Sequence, residues 1–170
     1  MKALWRILLG LLSTPGHFFR QLPKKPDLRH PLRFLLFGSL FFAGASLTGV
    51  YTRPLLMAGI LFLNAFTMPF ITAAAGFMVM TIFIGRRVAF AKIFSVYAFS
   101  AGVTLLVSWI PFFVWITEPW KWWLIGIGLV KGCDLSRLQA ILIIGLSIGI
   151  VVFFFMSLNP VILSLKTAAG

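Results

Sequence analysis

The chain has 170 residues, of which 61% are hydrophobic and only 11% charged, and its mean hydropathy is +1.05. Soluble domains carry about a quarter of their residues as charges, so this composition excludes one and points to a bilayer. Fifteen Lys and Arg against three acids give a formal charge of +12. In a polytopic protein such an excess sets the orientation of loops and attracts anionic lipid, and nucleic acid is not an expected partner.

The first residues, "MKALWRILLGLLSTPGHFF", resemble a signal peptide only superficially. Arg6 interrupts the apolar stretch and no small-x-small cleavage site follows, so the segment is expected to stay attached. Lys2, Arg6, Gly10 and Ser13 recur at helical spacing beside Leu4, Trp5, Leu8, Leu11 and Leu12, which predicts an interfacial amphipathic helix ended by Thr14-Pro15-Gly16. Residues 17–33 hold three prolines and five basic side chains and read as a basic surface linker. Residues 1–33 thus form a cytoplasmic interfacial helix and linker.

A transmembrane domain follows over 34–160. Residues 34–51 supply 18 without a charge, near the minimum for a spanning helix. Residues 55–84 are uncharged over 30 positions, roughly 45 Å as a helix against a core of about 30 Å, so the span must tilt or bend. Pro69 predicts a kink, with Asn64, Thr67 and Thr72 near the freed carbonyls, and a re-entrant half-helix is the rival arrangement. Asn64, an amide well inside a span, is expected to join helices. Gly85-Arg86-Arg87 and Lys92 mark a loop, and a third span over 93–113 ends near Pro111. A Trp cluster from Trp109 to Trp123 has the composition of a headgroup-level belt. The fourth span, 118–131, is short, with 12 residues between Glu118 and Lys131. The fifth covers 138–158, and 161–170 form a short tail.

If all five segments cross, twelve of the fifteen basic residues fall on the side of the N-terminus, leaving Arg53, Lys121 and Lys166 opposite. If the short segment does not cross, the split is eleven to four, so charge alone does not decide. The twelve-to-three split makes the N-terminus and the loop "GCDLSR" cytoplasmic. In that loop Asp134 is expected to cap the last span and to pair with Arg137 at i,i+3 or with Lys131, and Asp134, Ser136 and Arg137, with Arg86 and Arg87, are the candidate partner contacts. Gly128-x-x-x-Gly132, Gly145-x-x-x-Gly149 and Ala73-Ala74-Ala75-Gly76 are candidate close-packing positions.

Three residue patterns carry a family resemblance: "STPGHFFRQL" before the first span, "GRRVAFAKIFSVYAFSAGVTLLVSWIPF" leading into a span that ends in proline, and "GLVKGCDLSRLQAILI". With Pro15, Phe18, Phe19, Gly85, Tyr97, Ala98, Pro111, Leu135, Ser136, Arg137 and Ala140, the chain resembles the Yip (Ypt-interacting protein) family in a small bacterial-type form. Asp134 stands where glycine is common, and Ser100 where a proline often follows the Tyr-Ala pair. The resemblance implies five spans with a cytoplasmic N-terminus and an extracytoplasmic C-terminus in a bacterial inner membrane. Eukaryotic relatives are associated with Rab-type GTPases through longer cytosolic N-terminal regions, and that role is not expected here.

The expected fold class is an all-α integral membrane protein: a five-helix transmembrane bundle with an N-terminal interfacial amphipathic helix. Asp27, Glu118, Asp134, His17 and His30 all fall in predicted loops or linker, so no catalytic constellation is expected. The single Cys133 excludes an internal disulfide, and no Cys/His grouping has metal-ligand spacing, so no metal or cofactor is expected. The expected function is that of a non-enzymatic scaffold or accessory subunit in membrane organisation or trafficking-like processes. Anionic lipid at the cytoplasmic face, and a second copy or another membrane protein, are the expected partners. The alternative is a permease-type protein moving lipid or small solute through a groove near Pro69 and Pro111.

Overall fold

A computed structural model of the chain describes residues 2–23, 26–49, 53–85, 88–110 and 112–168. Arg86, Arg87 and Pro111 lie outside the described residues. Within them the chain is all-helical, with α1 Lys2–Ser13, α2 Pro15–Arg20, α3 Arg29–Ser46, α4 Pro54–Val79, α5 Phe90–Ser108, α6 Val114–Ile127 and α7 Arg137–Ala168. A 3-10 turn at Leu47–Gly49 extends α3, and π turns at Met80–Ile84 and Gly128–Gly132 extend α4 and α6.

Local chemistry explains several of these boundaries. Pro15 opens α2 and Pro54 opens α4, where a missing N–H costs nothing. Asp27 accepts a hydrogen bond from the Arg29 amide at 3.0 Å, satisfying a free donor at the start of α3. The expected linker is therefore partly folded. His17, Phe18, Phe19 and Arg20 are helical, and α3 begins at Arg29, five residues ahead of the expected span. Proline within a first turn, here Pro31, does not oppose a helix, which is why counting prolines misplaced this boundary.

At the centre lies α5, in which every residue from Lys92 to Thr104 is buried. Its most extensive partner is α3, followed by α4 and α6. The α3–α5 contact closes on two glycines that the sequence reading did not single out. A Cβ built on Gly38 would lie 2.7 Å from the Gly102 carbonyl oxygen, so only hydrogen fits between these backbones. Gly76 and Gly128 are also tight, against Tyr97 and Val96, as expected for packing positions. Gly145 and Gly149 meet nothing within 4 Å, so that pair does not pack inside the bundle.

Burial separates the two most apolar helical stretches. Pro54–Ile84 and Phe90–Ser108 are both long and apolar enough to cross a membrane, and Arg137–Phe153 is a shorter apolar stretch. The second is the core helix, whereas α4 turns Leu55, Ile60, Leu63 and Met78 outward, and the π turn after it adds Ile82 and Phe83. From Pro54 to Ile84 the helix covers 31 residues, roughly 46 Å, so it exceeds a hydrocarbon core of about 30 Å.

The helix continues through Pro69 as one segment, in line with the favoured single span, and the rival re-entrant half-helix does not form; Thr72 Oγ1 donates to the Met68 carbonyl at 2.9 Å and to the Pro69 carbonyl at 3.3 Å beside it. Other expectations change. The short fourth segment is longer than its charges suggested, because helix runs unbroken from Val114 to Gly132, roughly 28 Å. Glu118 and Lys121 lie inside it as an i,i+3 ion pair, 2.6 Å apart, rather than ending it. Finally, α7 continues past Asn159-Pro160 to Ala168, so the expected tail is mostly helical.

The N-terminal helix forms as expected but is tied down. Leu11 and Phe19 are fully buried, and the Phe18 ring sits 3.1 Å from the Cβ position of Gly10. Trp5, Leu9 and Leu12 remain exposed.

Candidate functional site

A groove runs between α3, α4, α5, α6 and α7, with a volume of about 510 Å³. Its walls are mostly apolar, from residues such as Phe42, Leu105, Ile125 and Val151. Polar groups are set along it: Asn64 and Thr72 from α4, Tyr97, Thr104 and Ser108 from α5, Glu118 and Lys121 from α6. A mostly apolar cleft with a few convergent polar groups is the usual form of a small-ligand site, and this volume lies within the roughly 300–1,000 Å³ common for such sites.

Several contacts hold this lining in place. Ser108 donates through Oγ to Thr104 O at 2.8 Å and to Thr117 Oγ1 at 2.9 Å, which ties the end of α5 to α6 across their turn. Lys121 pairs with Glu118 and lies 5.4 Å from the Trp122 ring centroid, so its charge is held by a carboxylate and an aromatic face. Tyr97 Oη and Ser147 Oγ converge on Gly76, where a side chain would lie 2.6 Å from the phenol oxygen and 3.4 Å from the serine oxygen. Glycine there makes room for the tyrosine.

Asn64 and Pro69, two positions expected to matter inside the membrane, both line this groove. Asn64 is exposed and lines the groove, and among the described residues it makes no hydrogen bond to another helix. Tyr97, Thr104, Ser108 and the Glu118–Lys121 pair were missed as a group. Their signal was available, since Tyr97, Ser100, Thr104 and Ser108 recur at three- and four-residue spacing along one apolar helix.

Of the expected loop residues, Asp134, Ser136 and Arg137 lie at the opposite end of α6, where it joins α7. Ser136, not Asp134, caps α7. Its Oγ accepts from the Gln139 amide at 3.2 Å while Gln139 Oε1 accepts from the Ser136 amide at 3.0 Å, a reciprocal capping box. Asp134 is displaced from that role by its left-handed backbone, φ 55, two residues ahead of the cap. Cys133 is buried in the same loop, and burial pushes its thiol up to about 11, with nearby Lys92 pulling it down and Asp134 pushing it further up.

The family model for the Yip1 domain matches residues 9–158, from within α1 to within α7. The chain belongs to the Yip1 domain family. No curated protein and no solved structure matches it. Within this Yip1 domain the groove, the capped loop and the Gly38–Gly102 contact all fall inside the matched residues. Family membership and two apolar helices of spanning length together associate the chain with membranes.

Proposed function

We propose that this Yip1-domain protein is a non-enzymatic, polytopic protein of a bacterial-type inner membrane. It crosses five times through α3 to α7, with the N-terminus and α1 on the cytoplasmic leaflet and the C-terminus outside. It acts as a scaffold or accessory subunit in membrane organisation or trafficking-like processes. The observation that carries the membrane reading is the outward apolar face of α4, where Leu55 is 87% and Leu63 61% exposed, continued by Ile82 at 73%. Soluble monomers rarely expose apolar patches of that extent, because water penalises them by roughly 25 cal/mol per Å². Trp109 and Trp115, also exposed, suit the headgroup level where α5 ends and α6 begins.

A scaffold needs surfaces rather than a reaction centre. The basic residues of the cytoplasmic side supply attraction to anionic lipid, and a second copy or another membrane protein supplies the remaining contact. Co-purification in mild detergent with mass spectrometry tests this: a stoichiometric membrane-protein partner or a stable homo-oligomer is expected. A monodisperse monomer that captures nothing from native membranes counts against it.

The groove favours a second reading, a permease-type protein for lipid or small solute, because Asn64 and Pro69 border it beside the Glu118–Lys121 pair. Flux in reconstituted vesicles separates the two. Transport lost on filling the groove with Thr104→Phe selects the permease, and no flux above empty vesicles selects the scaffold.

A further inference from the structure

A second groove, of about 480 Å³, lies between α6 and α7 at the end of the bundle where those helices are joined. Its body is apolar, formed by Trp122, Trp123, Ile127, Val130, Ile141 and Ile144, and Gly126 and Ala140 leave it open. At its loop end stand two cations, Lys131 and Arg137, both exposed. Among the described residues no carboxylate lines the groove, and Asp134, between the two basic residues in sequence, is not part of the lining. Both cations are exposed at its mouth, where an external anion can reach them.

The dimensions define the occupant. From Trp122 to Val130 the helix advances eight residues, roughly 12 Å, which is close to one leaflet of a hydrocarbon core of about 30 Å. A free phosphate would satisfy the two cations and leave the apolar walls uncovered. A fatty chain without a charge would cover the walls and leave the cations unmatched. Resting on the membrane reading above, we propose that this groove seats one anionic phospholipid of the cytoplasmic leaflet, its phosphate between Lys131 and Arg137 and one acyl chain along Gly126, Ile141 and Ile144. Paired basic residues at the end of an interhelical groove recognise such headgroups by charge, while the apolar walls supply the chain contact.

The lipid ties α6 to α7 at their joining loop. These two helices share few direct contacts compared with α3 and α5, so an intervening chain completes their packing.

The test is a titration of the full-length protein in zwitterionic detergent with phosphatidylglycerol or phosphatidylcholine, read by native mass spectrometry. One phosphatidylglycerol is expected to bind more tightly than any phosphatidylcholine. Lys131→Gln combined with Arg137→Gln should weaken that binding about tenfold or more, since each basic residue near an anionic surface contributes roughly a fivefold factor. Arg53→Gln, which removes a charge at the far end of the bundle, should leave it unchanged. Gly126→Leu, which fills the groove without touching the charges, should also weaken it. Inorganic phosphate in millimolar excess should not displace the lipid. Undiminished binding in the double variant overturns the groove alone, and displacement by phosphate shows a simple anion site and overturns it too. A wild-type protein with no preference for phosphatidylglycerol overturns both the groove and the attraction of the basic face on which it rests. Loss of lipid binding through self-association would show a second copy as the occupant and overturn the proposal.

Discussion

Replacing Gly38 by alanine should force α3 and α5 apart at the tightest point of their contact. The new Cβ would sit 2.7 Å from the Gly102 carbonyl oxygen and 3.2 Å from its Cα. A carbon approaches a carbonyl oxygen comfortably at about 3.3–3.6 Å. The helices must then separate by roughly 0.6 Å, and neither obstructing atom belongs to a side chain that can rotate away. A gap of 0.5–1 Å forfeits about a quarter to a half of each dispersion contact it opens, and overpacking of this kind costs about 1–3 kcal/mol. Alanine gains about 1 kcal/mol over glycine in helix propensity, which partly offsets that cost. The reference is Gly145→Ala in α7, where nothing lies within 4 Å of the Cβ position and only the propensity gain applies. The two variants should therefore differ by about 1–3 kcal/mol, or roughly 2–12 °C in melting temperature for a chain of this length. Thermal unfolding of both in the same detergent, followed by circular dichroism and by near-ultraviolet signal, measures the difference. A Gly38→Ala protein that melts as high as Gly145→Ala would refute the close-packed contact.

Ser136→Ala should cost about 1 kcal/mol by removing the cap of α7, with faster hydrogen exchange at the first amides of that helix, whereas Ser136→Asp should retain most of the protection. Ser108→Ala removes the hydroxyl joining α5 to α6 and should cost about 1 kcal/mol, visible as a lower chemical-denaturation midpoint in detergent. Alkylation of Cys133 should be slow near neutral pH and accelerate with rising pH toward about 11. Because the folded state holds this proton more tightly than the unfolded chain, stability should fall as pH rises from the ordinary thiol range through about 11, and Cys133→Ala should abolish that share of the pH dependence.

The apolar runs made most of the architecture legible. Uncharged residues 55–84 predicted the long helix almost to the residue, because a charge is a costly thing to place on a lipid-facing span and its absence is therefore informative. The same rule failed at Glu118 and Lys121, which neutralise one another at i,i+3 and so do not end a helix. It failed also at Arg29 and Arg33, which sit on the exposed side of a first turn. Asn64 and Pro69 were legible as special positions, but the groove they border takes its other walls from four further helices that no local pattern connects. Ser136 was hidden by Asp134, a residue type equally suited to capping, and only the left-handed backbone at Asp134 decides between them. Glycine spacing pointed to Gly145 and Gly149, which are open, and passed over Gly38 and Gly102, which belong to different helices and form no motif in one.

Sidedness is the most direct test of the account, and buried Cys133 is a poor reporter of it. In a Cys133→Ala background, single cysteines at exposed Thr48, between α3 and α4, and at exposed Lys131, between α6 and α7, report opposite ends of the bundle. A membrane-impermeant maleimide added to intact cells should label Thr48→Cys and spare Lys131→Cys, and inside-out vesicles should reverse the pattern. Labelling of both positions from outside would contradict five spans with a cytoplasmic N-terminus and leave α6 on one side of the membrane.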